Sequence, residues 1–298
     1  MAGSCFAEHI GRHLADCLPE AQTAVNPAGV LYNPGSILRS LMAIGAGRDA
    51  VSPPPLFKGA DGLWRSWLHA GLFASPSRDE LLARLAEAHS RARKVLAQAD
   101  CVVVTFSTDR AYLLADGPAR GTLVANCHKQ PAVLFEERAL DMEAQREAWT
   151  AWLRQLHRER PEARVVFTLS PYRYAKYGFH ASAVGKARLL LLIEALCHDA
   201  PNALYFPAYE IVTDELRDYR FYAPDMLHPS EQAVAYVWER FAQWAFTPEM
   251  AEYARERQAL LRAARHRPLH PESEDYARFR ARLADERRRF EARWGTTL

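Results

Sequence analysis

The chain has 298 residues, of which 49% are hydrophobic and 25% are charged, and its formal net charge is +2. This length and composition predict a soluble globular protein with a large core, and the near-neutral charge gives no reason to expect a nucleic-acid partner. No apolar run approaches a membrane span, and the start lacks a signal pattern. Five scattered cysteines without a CxxC pair argue against a disulfide framework, so we expect a cytoplasmic protein.

The opening residues combine two nucleophiles with the start of a predicted helix. Gly3 precedes Ser4 and Cys5, and residues 7–18 have a helical pattern that ends before Pro19. Unactivated hydroxyls and thiols are poor nucleophiles, but a helix N-terminus stabilises a thiolate. The sequence therefore predicts Cys5 or Ser4 as a nucleophile. The alternative is an N-cap serine beside a small buried thiol.

Helical and strand patterns alternate through the middle of the chain. Continuous runs typical of buried strands occur at Cys101–Phe106, Val165–Leu169 and Ala203–Phe206. Helices are predicted over residues 36–45, 77–98, 142–158, 184–197 and 230–246. This alternation predicts an α/β fold, with helices on both faces of a mostly parallel sheet.

The composition changes after Thr247, where the chain becomes rich in Arg, Ala and Glu. Two helices are predicted here, over residues 250–265 and 274–294. We therefore predict a domain over residues 1–246 and a helical C-terminal extension over residues 247–298. The arginines are nearly balanced by Glu and Asp, which favours solvated amphipathic helices over a nucleic-acid contact.

A second group of chemistry-bearing residues lies far downstream of the nucleophiles. Asp225 and His228 follow the third predicted strand by a loop, where open α/β sheets place their functional sites. In the functional interpretation, His228 is the general base for Cys5 or Ser4, and Asp225 holds its imidazole ring. The alternative is an ordinary surface turn before the closing helix.

Two further segments offer candidate substrate contacts. Residues 126–129 (Asn-Cys-His-Lys) bring an amide donor, a thiol and an imidazole into one turn, and their alternative is the edge of a β-hairpin. Arg173 follows the second predicted strand, and its planar guanidinium suits a carboxylate or phosphate; a surface ion pair is its alternative. The metal-capable residues of these segments match no zinc spacing, so we predict no metal site.

Taken in order, these motifs resemble the GSCFA family. The likeness runs from Gly3 to about Phe246 and rests on Gly-Ser-Cys-Phe-Ala at 3–7, the Asn-Pro turns, residues 126–129, Ser-Pro-x-Arg at 170–173, Arg-Asp-Tyr-Arg-Phe at 217–221 and Asp-x-x-His-Pro-Ser at 225–230. An early nucleophile and a late Asp-x-x-His are also similar to the SGNH/GDSL hydrolases. The resemblance implies an SGNH-like three-layer α/β/α sandwich. Some relatives are associated with surface polysaccharide synthesis.

The resemblance also implies roles for individual residues. Matching Gly3 to the first residue of the Gly-Asp-Ser motif places Cys5 at the nucleophile position, with Ser4 as its neighbour and rival. The turn at residues 26–29 resembles the second SGNH block, which implies Gly29 as an oxyanion donor. The third block differs, because its Asn is absent from residues 106–109.

In the SGNH interpretation, Asn126 replaces the missing Asn of the third block as a second oxyanion donor. The GSCFA likeness favours a functional role for the turn that contains Asn126. His128 in that turn and Arg173 then serve as substrate contacts. No glycine motif for the phosphates of CoA is evident, which favours hydrolysis, and we expect no cofactor.

These residues predict an SGNH-like esterase that acts on O-acyl esters of a small molecule or of a bacterial surface glycan. The alternatives are an acyl-CoA-dependent glycan O-acyltransferase, and a non-catalytic glycan-binding or assembly protein with a degenerate site. The sequence does not predict an oligomeric state.

Only Met1 and Ala2 precede Gly3, whereas the SGNH nucleophile follows a first strand that lies inside the sheet. We therefore predict a gap or altered pairing beside Cys101–Phe106, because an interior strand satisfies backbone groups on both its neighbours. An N-terminal extension of the natural chain would supply this strand. A protein that is no longer an enzyme is the alternative.

Overall fold

The computed structural model describes residues 1–18, 22–46, 54–266, 268–270 and 272–297. Contacts divide the chain into two compact units, Met1–Gly11 with Ala24–Val237, and Arg12–Thr23 with Trp238–Leu298. Within the described residues, no helix is both long and apolar enough to cross a bilayer.

The described strands and helices follow one another as the sequence patterns predict, with additional short elements. The strands are β1 (Ala2–Gly3), β2 (Leu56–Lys58), β3 (Trp64–Ser66), β4 (Cys101–Phe106), β5 (Arg110–Leu114), β6 (Leu123–Val124), β7 (Phe135–Ala139), β8 (Arg164–Leu169) and β9 (Ala203–Tyr205). The helices are α1 (Cys5–Cys17), α2 (Pro34–Ala46), α3 (Arg78–Gln98), α4 (Met142–Glu159), α5 (Gly178–Asp199), α6 (Ala208–Glu210), α7 (Glu231–Ala245), α8 (Pro248–Ala264) and α9 (Glu274–Trp294).

A four-stranded parallel sheet, in the order β1-β4-β8-β9, forms the centre of the first unit. Strands β4 and β8 pair along their whole length, from Cys101 opposite Arg164 to Phe106 opposite Leu169. Their nearly continuous burial is what uninterrupted apolar runs predict for strands covered on both faces. The predicted α/β class, with a mostly parallel sheet flanked by helices and a helical C-terminal segment, is confirmed.

Aromatic side chains pack between this sheet and helix α4. The ring centroid of Trp149 on α4 lies 5.4 Å from that of Phe106 and 5.3 Å from that of Phe167. All three side chains are fully buried. Because they belong to β4, β8 and α4, these contacts fix the ends of the two central strands relative to a helix.

Strand β1 is short rather than absent. Ala2 pairs with Val104, and Gly3 pairs with Thr105, both in parallel register. A Cβ built on Gly3 would lie 2.5 Å from the Thr105 carbonyl oxygen, and the φ of Gly3 is +153°. Glycine therefore fits here because it allows a close approach of two backbones and an unusual dihedral angle.

The backbone of Gly3 is satisfied on its other side by the loop that follows α1. Its N–H donates to Asn26 Oδ1 at 2.9 Å, and its carbonyl accepts from the Leu31 N–H at 2.9 Å. The Asn26 N–H in turn donates to the Met1 carbonyl. The loop over residues 26–31 thus takes the place of a neighbouring strand beside β1.

Two small antiparallel sheets were not predicted from the sequence. Strands β2 and β3 form a hairpin, and β5 lies between β6 and β7. In the second of these sheets Arg110 is opposite Ala139, and Leu114 is opposite Phe135. Residues at the start of β5 line the cavity described below, so this sheet contributes directly to the candidate site.

Several helix starts differ from the predicted ones. Helix α2 begins at Pro34 and not at Ser36, because Asn33 is the N-cap and its Oδ1 accepts from the Ser36 N–H at 2.9 Å. Proline at the first helical position is favourable, since its missing N–H would have no partner there. Helix α3 begins one residue after its predicted start, because Ser77 is the N-cap and accepts from the Glu80 N–H.

In the second unit, helices α8 and α9 are capped by Thr247 and Ser273. The Arg293 guanidinium bridges Glu252 at 2.8 Å and Glu256 at 2.6 Å, so one residue of α9 binds two consecutive turns of α8. The rings of Tyr253 and Phe290 pack 5.3 Å apart between the same helices. These contacts explain how two highly charged helices remain paired.

Lys186 on α5 is buried beneath the carboxyl ends of the two central strands. Its Nζ donates to the carbonyls of Ser107 and Ser170, each at 2.7 Å, and these residues directly follow β4 and β8. Burial lowers the pKa of Lys186 from 10.5 to about 7, although the charge of Asp109 partly opposes this shift. The ammonium group thus links two strand ends at the expense of its own solvation.

We expect Gly3→Ala to lower the free energy of unfolding by about 2–4 kcal/mol, because the new Cβ must displace the β4 backbone. Urea denaturation measures this change. Gly45→Ala in α2 is the matched control, since its Cβ meets nothing within 4 Å and helix propensity favours alanine. Equal stability of the two variants would contradict the close contact.

We expect the free energy of unfolding of the wild type, relative to Lys186→Met, to rise with pH above 7. Over this range the folded protein releases the Lys186 proton while the unfolded chain keeps it, so the slope reaches up to about 1.4 kcal/mol per pH unit. Denaturation between pH 7 and 9 tests this, with exposed Lys94→Met as control. Parallel stability curves for wild type and Lys186→Met would refute a lowered pKa.

Candidate active site

The turn from β1 into α1 carries the two candidate nucleophiles. Ser4 is the residue before the helix, and its carbonyl accepts from the Glu8 N–H at 3.2 Å. Its side-chain Oγ is buried and has no hydrogen-bond partner among the described residues. Cys5 is half-buried, and its Sγ lies 3.4 Å from the Tyr32 hydroxyl. The thiol is therefore the more accessible of the two groups.

Asp225 and His228 form a hydrogen-bonded pair in the loop before α7. Asp225 Oδ2 lies 2.5 Å from His228 Nδ1, and Oδ1 accepts from the N–H groups of Leu227 and His228 at 2.9 and 3.0 Å. Hydrogen bonds from the backbone and ring of His228, and from Leu227, lower the pKa of Asp225 to about 2. An ionised Asp225 holds the proton of His228 on Nδ1, which leaves Nε2 as the acceptor nitrogen.

Cys5 and His228 line the same cavity, whose volume is about 350 Å³. In the described chain no hydrogen bond joins the thiol to the His228 ring. About half of each side chain in the Asp225–His228 pair is exposed, 45% and 49% respectively. The structure thus brings Cys5 and His228 to one cavity, with Asp225 hydrogen-bonded to the His228 ring.

Tyr32, Tyr172 and Tyr174 line the cavity that Cys5 and His228 share, and none of them was predicted to be a site residue. The Tyr172 ring lies 4.4 Å from the His228 ring and 4.8 Å from the Tyr174 ring, measured between centroids. Burial raises the pKa of Tyr32 and Tyr174 above their usual range, so both hydroxyls stay protonated. Tyr32 can therefore donate a hydrogen bond to the sulfur of Cys5.

Arg173, for which a substrate contact was predicted, is not among the residues that line the cavity. Its N–H donates to the Leu227 carbonyl at 3.1 Å, and its Nη1 donates to the Met226 carbonyl at 3.3 Å. The guanidinium also lies 4.3 Å from the Phe179 ring centroid. Arg173 therefore holds the backbone of the loop that carries His228, which neither of its predicted interpretations described.

The segment after β6 divides between the cavity and a separate aromatic cluster. Asn126 lines the cavity, and its Oδ1 accepts from the His128 N–H at 2.7 Å. The His128 ring lies away from the cavity, with Nε2 3.0 Å from the Ser66 carbonyl and its centroid 5.9 Å from that of Trp67. Burial lowers the pKa of His128. The structure therefore places the His128 ring beside Ser66 and Trp67 and not in the cavity where its substrate contact was predicted.

Gly29 is also not brought to the cavity. Its N–H donates to the Asn26 carbonyl at 2.7 Å, so the predicted oxyanion donor is already used within its own turn. The glycine is needed there because its φ is +80° and a Cβ would lie 2.3 Å from the Ala70 Cβ.

The cavity offers other hydrogen-bond donors in place of Gly29. Asn33 and Asn126 both line it, and each has its Oδ1 fixed by a backbone N–H, at Ser36 and His128 respectively. The Nδ2 groups of both have no other partner among the described residues, so they are available as donors. The Asn33-Pro34 pair was the sequence signal for this N-cap, and it was interpreted only as a turn.

The metal-capable side chains do not gather into a site. In the described residues, no group of three or more His, Cys, Asp or Glu side chains could hold a metal ion.

Comparison with known proteins places the chain in a family. A model of the GSCFA family matches residues 1–241, a region that contains Cys5, Asp225 and His228. No curated protein matches the chain. Because the match covers far more than half of the sequence, the chain belongs to the GSCFA family.

Proposed function

We propose that this protein is an acyl hydrolase that cleaves O-acyl esters, with Cys5 as nucleophile, His228 as general base and Asp225 as its orienting carboxylate. The observation that carries the proposal is that His228, which is hydrogen-bonded to Asp225, lines the same cavity as the thiol at the start of α1. Nucleophile, base and orienting acid are the groups that acyl transfer requires.

The reaction has two stages in this proposal. His228 Nε2 takes the thiol proton as Cys5 Sγ attacks the acyl carbonyl, and the resulting imidazolium returns the proton to the departing alcohol. The same nitrogen then takes a proton from water, which attacks the thioester. The C–S bond breaks, and the imidazolium returns its proton to the departing sulfur, which gives the carboxylic acid and the free Cys5 thiol. The Nδ2 groups of Asn33 and Asn126, with the N–H groups of the first turn of α1, serve as donors to the oxyanion.

The burial of Ser4 Oγ supports Cys5 over Ser4 as the nucleophile. An atom without accessible surface cannot meet a substrate carbonyl unless the turn rearranges. The gap between Cys5 and His228 is compatible with catalysis, since such hydrogen bonds are often long before substrate binds.

The order of elements supports placing the chain among SGNH-like hydrolases. The proposed nucleophile follows the first strand at the start of a helix, and the Asp-x-x-His precedes a late helix, α7. The GSCFA resemblance suggests a glycan as the ester's alcohol. An acyltransferase would use the same first stage with a sugar hydroxyl in place of water.

A non-catalytic glycan-binding protein is the second candidate. The observation that favours it is the thiol's hydrogen bond to Tyr32, with none to His228. A binding protein would keep the tyrosine-lined cavity and would not need the thiol to be deprotonated.

We expect Cys5→Ala and His228→Ala each to lower kcat/KM for p-nitrophenyl acetate by at least about 100-fold, because each removes a group used in both stages. Asp225→Asn should cause a smaller loss, and Ser4→Ala should retain turnover. Cys101→Ala is the control for loss of a thiol elsewhere in the same unit.

Intact-mass spectrometry gives a second measurement, since an acetyl thioester should form on Cys5 and be absent in Cys5→Ala. A folded wild type with neither turnover nor adduct, which still binds an acetylated glycoside as well as Cys5→Ala does, would reject the hydrolase and support the binding protein.

A further inference from the structure

Two cationic side chains line the cavity, in addition to the groups proposed for acyl transfer. Arg110 is the first residue of β5, and Lys176 lies in the short turn before α5. A third cation, Arg188 on α5, lies close to Arg110 through their shared neighbour Asp109. Whether these charges are neutralised by the protein decides what the cavity can bind.

Lys176 and Arg188 both have carboxylate partners. Lys176 Nζ lies 3.0 Å from Glu137 Oε2 and also donates to the Tyr112 hydroxyl. Arg188 Nη1 lies 2.7 Å from Asp109 Oδ2, in an ion pair whose carboxylate is almost fully buried. Neither cation is therefore left to be balanced by a ligand.

Arg110 has no comparable partner. Its nearest carboxylate oxygen is Asp109 Oδ1, 4.0 Å from Nε, and that carboxylate is already engaged by Arg188. The two Nη groups make no hydrogen bond among the described residues. The guanidinium lies over the Tyr177 ring, 5.2 Å from its centroid, and 36% of the side chain is exposed.

A guanidinium held over an aromatic ring with both Nη groups unpaired is suited to a planar or tetrahedral oxyanion. The hydroxyls of Tyr112 and Tyr177 lie 3.1 Å apart on the same side of the cavity and provide polar contacts beside it. Aromatic faces with polar edges also suit the alternating apolar and hydroxyl surface of a sugar ring.

We infer that Arg110 binds an anionic group, a carboxylate or a phosphate, of the acylated substrate, so that the substrate is an O-acylated acidic saccharide. This inference rests on the proposed hydrolase function for its acyl group. Arg110 is in this account a specificity-determining residue, since it contacts the substrate at a distance from the ester.

Matched esters test the inference directly. We would compare mono-acetylated methyl glucuronoside and mono-acetylated glucose 6-phosphate with mono-acetylated methyl glucoside, each acetylated at the same hydroxyl. The wild type should show a kcat/KM for at least one acidic ester that exceeds the neutral one by about 10- to 100-fold. The acidic ester that is preferred identifies carboxylate or phosphate as the anion.

Arg110→Gln should reduce this acidic-to-neutral ratio to near one, mainly through KM. Arg110→Lys keeps the charge without the planar fork and should give an intermediate ratio. Arg138→Gln, which removes an exposed charge from the neighbouring strand β7, should leave the ratio unchanged. A wild-type ratio near one, or an unchanged ratio in folded Arg110→Gln, would overturn the inference.

Calorimetric binding of the three sugars without their acetyl groups distinguishes a failure of the anion-site inference from a failure of the hydrolase proposal. One outcome is that the wild type binds methyl glucuronoside or glucose 6-phosphate but not methyl glucoside, that Arg110→Gln loses this binding, and that no ester is turned over. This outcome would support the anion site and reject the hydrolase. Hydrolysis of all three esters at equal rates would support the hydrolase and reject the anion site.

Discussion

The first unit depends on the close approach of Gly3 to the backbone of β4. Strand β1 pairs with β4 through only two residues. Its backbone can lie this close to Thr105 because Gly3 has no Cβ. Asn26 and Leu31 satisfy the remaining backbone groups of Gly3 from the other side. Gly3, the last residue of β1, is hydrogen-bonded on both sides. The chain therefore enters α1 near the carboxyl end of β4, where Cys5 lines the cavity.

The carboxyl ends of β4 and β8 form the other fixed part of the site. Their next residues, Ser107 and Ser170, line the cavity, while their carbonyls accept from the buried Lys186. Burial of an ammonium group is unfavourable, as its lowered pKa indicates. In return, one ammonium group donates to a carbonyl at each of the two strand ends, so this polar contact links the residues that follow β4 and β8 beside the cavity.

Sequence patterns predicted the parts of the molecule that local physics determines. Uninterrupted apolar runs marked β4 and β8, and the spacing of Asp225 and His228 allowed a turn in which one carboxylate binds both backbone and ring. What the sequence did not determine is the direction of individual side chains and the pairing of segments that are distant along the chain. Gly29, His128 and Arg173 sit in short polar segments, where a sequence does not determine whether a side chain faces the cavity, its own turn or a neighbouring loop. Strand β5 pairs over only two positions with the nearby β6, and its longer pairing joins it to β7, about 25 residues away, a non-local contact that no local pattern encodes.

The Asp225–His228 pair is half-exposed, so water reaches both side chains while the cavity is empty of substrate. Water screens the exposed Asp225 carboxylate, so the hydrogen bond orients the His228 ring mainly by geometry. Arg173 supports that geometry by donating to the Met226 and Leu227 carbonyls. A substrate that fills the cavity removes this water and strengthens every charge interaction around the ring. In the proposed mechanism, the same substrate would compete with Tyr32 for the Cys5 thiol. Substrate binding and activation of the Cys5 thiol would then occur together. Contacts away from the ester would therefore have to position the substrate before the thiol leaves Tyr32.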